Sequence, residues 1–142
     1  MNLKKINNQV EEKIRSNKLD EAQQILLKAF KRNVTDLQIL NKLAYVSFRL
    51  NDLKQAKLSL EKIVTISNDI DAKKNLLMLY MQEKDWINSK KIILKLFTQQ
   101  DKSTDLKKTL AYIEGKLGNF QNAKNIYEEL ISNDCYDKEL FA

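Results

Sequence analysis

The chain has 142 residues, a net charge of +6, one cysteine, and neither histidine nor proline. The missing histidine removes the commonest general base, the commonest metal ligand and every Ser-His or Cys-His nucleophile pair; a lone thiol cannot close an internal disulfide and suits a reducing compartment. The start, MNLKKINNQVEEK, is charged rather than apolar, and the longest apolar run, Leu76 to Met81, is too short to span a bilayer, so a cytoplasmic protein is expected.

Four stretches read alike: NKLDEAQQILLKAFKRN from Asn17, NDLKQAKLSLEKIVTISND from Asn51, KDWINSKKIILKLFTQQD from Lys84 and GNFQNAKNIYEELISND from Gly118. Their starts lie 34, 33 and 34 residues apart, a period that marks stacked helical hairpins. The repeats fall at about 3–34, 35–68, 69–101 and 102–136 of one domain, 1–142. In chain order, a first helix runs from Asn2 to Arg15 with Leu3, Ile6, Val10 and Ile14 inward. Gln9 and Lys13 make its stripe polar, as the end of a solenoid requires. The later first helices run from Leu37 to Leu50, Asp71 to Gln82 and Asp105 to Leu117. Each second helix opens on an apolar residue, Leu19, Leu53, Trp86 or Phe120. A small residue follows three positions on, Ala22, Ala56, Ser89 or Ala123, then a large one, Leu26, Leu60, Ile93 or Tyr127. Offsets of three and four place these on one stripe, and the small residue lets two antiparallel helices approach closely.

Asn17, Asn51 and Gly118 suit the left-handed conformation that ends a helix. Asp52, Asp85 and Asn119, and Thr35, Asp69 and Thr104 where new repeats begin, are read as N-caps. The carboxylates at these ends, Asp69 with Asp71 and Asp134 with Asp137, are read as local structure rather than metal ligands. With no glycine-rich phosphate loop and no clustered ligand set, no catalytic residue, cofactor or metal is expected. Cys135 reads as an inert residue in a turn. From Asp137 to Ala142 the register starts a fifth first helix, with Leu140 and Phe141 in the places of Ile39 and Leu40; the chain is then either part of a longer protein or ends in a short cap. The apolar edge of the fourth repeat points to weak self-association.

The pattern resembles the tetratricopeptide repeat. The family's large-small dipeptide and its alanine in the second helix are matched by Leu43-Ala44 with Ala56 and by Leu110-Ala111 with Ala123. The third repeat departs, with Leu76-Leu77 and Ser89. The aromatic late in the first helix is met by Tyr80 alone, Ser47 and Glu114 standing there in the neighbouring repeats, and the repeat-ending proline is replaced by Val34, Asn68, Asp101 and Cys135. The resemblance implies an all-α, right-handed superhelix of four degenerate pairs whose first helices line a concave groove for a peptide or partner helix.

By that resemblance the groove residues are Asn7 and Arg15, then Asn41, Lys42, Tyr45 and Arg49, then Lys74, Met78 and Gln82, then Lys108, Tyr112 and Lys116, with Glu11, Phe48, Asn75 and Thr109 among them. Adding Lys4, seven cations face Glu11, Asp71 and Asp105, a net +4, so a segment with acidic character is expected. The family's clamp for chaperone C-termini is not matched, and Glu11, Asp71 and Asp105 would repel a carboxylate. A non-catalytic protein-binding scaffold is the expected function. An N-terminal accessory module of a longer enzyme, such as a transferase, is the alternative. Nucleic-acid binding ranks lower, because lysines such as Lys28, Lys57 and Lys124 are scattered over both helices and no stacking series appears.

Overall fold

A computed structural model describes residues 2–99 and 103–133. Among them are eight helices and no strand: α1 Leu3–Arg15, α2 Leu19–Lys31, α3 Leu37–Arg49, α4 Leu53–Ile66, α5 Ile70–Gln82, α6 Trp86–Thr98, α7 Thr104–Lys116 and α8 Phe120–Asn133. The all-α repeat of helix pairs is thus observed, and Leu19, Leu53, Trp86 and Phe120 are the first residues of the second helices. Asp101, Asp134, Cys135 and the expected fifth-helix start at Asp137, with Leu140 and Phe141, lie outside the described residues.

One turn is built four times. Two residues past the end of each first helix φ is positive: Asn17, Asn51 and Lys84 at 57–59°, Gly118 at 83°. The next amide then reaches back five residues, Lys18 to Lys13 at 2.8 Å, Asp52 to Ser47 at 2.8 Å, Asp85 to Tyr80 at 2.9 Å and Asn119 to Glu114 at 2.8 Å. These six-to-one bonds satisfy carbonyls that the helix end leaves open. Lys84 has no local preference for this conformation. Asp52 and Asp85 then cap α4 and α6, accepting from Gln55 N and Asn88 N at 3.2 Å each, and Asp69 accepts from Asp71 N at 2.9 Å and Ala72 N at 3.3 Å. Two caps differ from expectation by one residue. Asp36, not Thr35, caps α3, and Ser103, not Thr104, caps α7. Each is the residue whose backbone is still extended and whose oxygen meets the amide three residues on.

By its contacts the chain divides into two units, 1–76 and 77–142, the division falling inside α5. In the first unit Val10, Ala22, Leu26, Ala29, Ile39, Leu43 and Val46 form a fully buried core, flanked by the partly buried Leu3, Ile6 and Ile14 of α1. Burying a Leu or Ile here contributes about 1.5–3 kcal/mol. Gln23 on α2 is also buried. Its Nε2 donates to Ser47 Oγ on α3 at 3.3 Å and to Asp52 Oδ2 at 2.8 Å. The place of the family aromatic is therefore filled by a small hydroxyl whose partner comes from the preceding helix.

In the second unit Ile92, Ile93 and Leu96 of α6, Leu106, Ala111 and Ile113 of α7, and Ala123 and Leu130 of α8 are buried. Leu110, the large residue of the family dipeptide, is only half-buried. Phe120 and Tyr127 lie on the expected stripe yet are 72% and 44% exposed. α8 packs on α7, and no described helix follows to cover its other side. Glu114 occupies the slot of Ser47 and is 3% exposed. Its Oε2 accepts from Asn122 Nδ2 at 2.8 Å. Its Oε1 lies 2.8 Å from the ammonium of Lys90 on α6, close enough for charge to satisfy that oxygen even where the hydrogen-bond angle is poor. Burial pushes the Glu114 carboxyl up; Lys90, Asn122 and Asn119 outweigh it and hold the group below its usual value.

Candidate functional site

The first-helix face of the first unit is a set of paired polar groups. Lys42 on α3 donates to Asn7 Oδ1 on α1 at 3.0 Å and pairs with Glu11 at 2.8 Å. Asn7 in turn donates to Gln38 Oε1 at 3.3 Å. The Lys42 bond and charge, with some help from Arg15, hold the Glu11 carboxyl below its usual value. Lys42 and Asn7 therefore tie α1 to α3, and their charges and amides are already engaged. Arg15, Asn41 and Lys74 are exposed. Arg49 donates from Nη1 to Tyr45 Oη at 2.7 Å, with its guanidinium carbon 5.7 Å from the ring centroid. Four residues separate the two, so they are stacked neighbours on one helix face.

The second unit repeats this pairing. Lys116 Nζ lies 5.3 Å from the centroid of Tyr112, again four residues earlier, a separation at which an ammonium is attracted to an aromatic ring. Trp86, the first residue of α6, meets Tyr112 edge-on, centroids 5.7 Å apart at 79°, a preferred aromatic geometry. The sequence places Trp86 only as the apolar residue opening its helix; its place against Tyr112 is set by packing between the consecutive helices α6 and α7. Gln82 is exposed and Lys108 is half-buried. Tyr45, Met78 and Tyr112 are 47%, 46% and 46% exposed.

The first unit also holds a cavity of about 230 Å³ on this face. Asn41, Tyr45 and Phe48 of α3 and Asn75 of α5 line it, together with Asp69 and Asp71. Asp69 was expected only as a cap. Among the described residues no three His, Cys, Asp or Glu side chains are grouped to hold a metal, and no helix is long and apolar enough to cross a membrane.

The tetratricopeptide repeat model matches residues 37–70 and 109–134, the second helix pair and most of the fourth. A solved tetratricopeptide repeat protein from Parabacteroides merdae ATCC 43184 is 21% identical, with a TM-score of 0.61 over 93% of this chain and 52% of its own. Over those two matched stretches this chain carries tetratricopeptide repeats. MamA from Desulfovibrio magneticus RS-1 is 12% identical, with a TM-score of 0.62 over 92% of this chain and 75% of its own. YrrB, described as a tetratricopeptide protein with an unusual peptide-binding site, is 15% identical, with a TM-score of 0.60 over 91% of this chain and 67% of its own. At these identities the likeness shows the fold. This chain spans about half the length of the Parabacteroides protein. None of the curated proteins matches it. Within the tetratricopeptide frame, Tyr45, Met78 and Tyr112 hold one position of successive first helices.

Proposed function

We propose that this tetratricopeptide chain is a non-catalytic scaffold that holds a peptide or a partner helix along its first-helix face. One observation carries the reading. A large side chain recurs at positions 45, 78 and 112 with nearly identical half exposure, 46–47%. In two of the three, a cation sits one turn on, Arg49 and Lys116. A half-exposed tyrosine supplies contact area at small entropic cost, and such anchors provide most hot-spot energy. Acidic residues of the segment meet Arg15 and Arg49 in the first unit and Lys116 in the second; Lys42, committed to Glu11, contributes little. The peptide-binding site of YrrB supports the same class of ligand. A cytoplasmic setting suits the single cysteine. The uncovered stripe of Phe120, Tyr127 and Ile131 on α8 supports weak self-association.

The test is selection of binders from a displayed library of random 12-residue peptides, followed by fluorescence anisotropy on the winners. Tyr45→Ala with Tyr112→Ala is expected to weaken binding by about tenfold or more through faster release, the loss of two moderate anchors. Arg49→Glu with Lys116→Glu is expected to slow association and to flatten its salt dependence. Binding that survives both pairs but is abolished by Lys28→Glu with Lys124→Glu on the second helices would overturn the reading.

A further inference from the structure

Resting on that reading, we infer that the cavity between α3 and the start of α5 is a subsite for one basic side chain, lysine or arginine, of the bound segment. The volume, about 230 Å³, is below the roughly 300–1,000 Å³ of small-molecule pockets and matches a single long side chain. Its floor is apolar: Ala44, Leu60 and Ala72 are all nearly fully buried. An aliphatic stem can lie on such a floor while its charged head stays at the rim. The Tyr45 and Phe48 rings form one wall, and ring faces attract cations.

The rim decides the sign of the guest. Asp69 and Asp71 both line it and no lysine or arginine does. Arg49 is drawn to Tyr45 Oη and stays outside the lining. The start of α5 would by itself favour an anion, but a helix end is worth only about half a positive charge, against two carboxylates. That end is also partly neutralised, since the amides of Asp71 and Ala72 already bond Asp69 Oδ1. Asn41 and Asn75 complete the rim with amides that can accept from an ammonium or guanidinium. A metal ion is a poorer guest, since no third carboxylate, histidine or thiol joins these two among the described residues. The segment this face takes therefore combines an acidic residue near Arg49 with a basic residue at the cavity, which sharpens the simple expectation of an acidic ligand.

The test uses ¹⁵N-labelled full chain titrated with four probes: the Nα-acetyl amides of lysine, arginine, norleucine and glutamate. Lysine and arginine amides are expected to shift the signals of Asn41, Tyr45, Phe48, Asp71 and Asn75 in a saturable way; norleucine and glutamate amides are not. Asp71→Asn is expected to weaken the lysine probe about two- to fivefold, the worth of one partly exposed ion pair. Asp69→Asn with Asp71→Asn is expected to remove it. Asparagine remains a good N-cap, so α5 is kept and circular dichroism verifies that both variants fold. No shift at the cavity, an equal shift with norleucine, or indifference to both variants would overturn the subsite. The two readings fail separately. Selected peptides that need Tyr45 yet show no lysine or arginine enrichment sink the subsite and leave the groove. A saturable lysine-probe shift beside peptides bound on the second helices sinks the groove and leaves the subsite.

Discussion

The two units fill one slot of the repeat in different ways. In the first, neutral Gln23 bridges Ser47 and Asp52. In the second, Lys90 and Asn122 hold an ionised Glu114. Position 23 corresponds to 90, and 47 to 114, at the repeat spacing. At Ser47 and Glu114, where the family sets an aromatic, this chain buries a polar group and supplies its partner from the preceding helix. The neutral version is cheap to desolvate, while the ionic one gives more when intact and loses more when broken. The consequence is a difference in sensitivity: loss of one partner costs the slot of the second unit more than that of the first.

Breaking the ion pair is the largest expected effect. Lys90→Met leaves Glu114 buried without its counter-charge. The Lys90 side chain is 33% exposed, so the cost falls below the ~3–5 kcal/mol of a fully buried pair, at about 2–3 kcal/mol. Adding Glu114→Met should recover much of it, since apolar replacement of both partners is often neutral. Gln23→Leu strands the Ser47 hydroxyl and should cost about 1–2 kcal/mol. Urea unfolding of the three variants measures all of this, and equal losses from Lys90→Met and Gln23→Leu would dissolve the contrast.

The small residues extend the comparison. Ala56 is fully buried, whereas Ala123 is 8% exposed on the one-sided α8. Ala56→Leu should cost about 2–3 kcal/mol and Ala123→Leu about 1 kcal/mol, from overpacking with and without room to yield. Melting temperatures in which Ala123→Leu is the worse variant would show that α8 is held more tightly than its exposure implies.

Acid tests the ionic slot next. The folded Glu114 carboxyl lies below its unfolded value, which is about 4.3. A depressed carboxyl contributes stability that is fully present above the unfolded value and lost as pH falls through the folded one. Stability should therefore drop below about pH 4.3, and Glu114→Gln should flatten that drop. An unchanged acid limb in Glu114→Gln would mean that other carboxylates control it. The smallest effect concerns Lys84, left-handed where the other turns have Asn or Gly. Lys84→Asn should stabilise by about 0.5–1 kcal/mol, read as a higher urea midpoint.

The helix pairs were legible because the apolar stripe and its small residue recur locally, and all four second helices start where Leu19, Leu53, Trp86 and Phe120 said they would. The slipped caps have a local cause: Thr35-Asp36 and Ser103-Thr104 each offer two oxygens in succession, and only backbone conformation chooses between them. Lys84 carried no signal, since the turn imposes its φ. The pairs Gln23–Ser47 and Lys90–Glu114 were invisible because each partner, read alone, resembles a solvated polar residue. For the same reason Lys42 read as a groove cation although it serves α1, and Asp69 read as a cap although it also lines a cavity.

The measurement that bears most directly on the central claim is amide hydrogen exchange of the chain with and without a selected 12-residue peptide. Added protection on α3 and α7, centred on Tyr45 and Tyr112, is the predicted result. Protection confined to α2, α4, α6 and α8 would contradict the claim that this scaffold binds along its first helices.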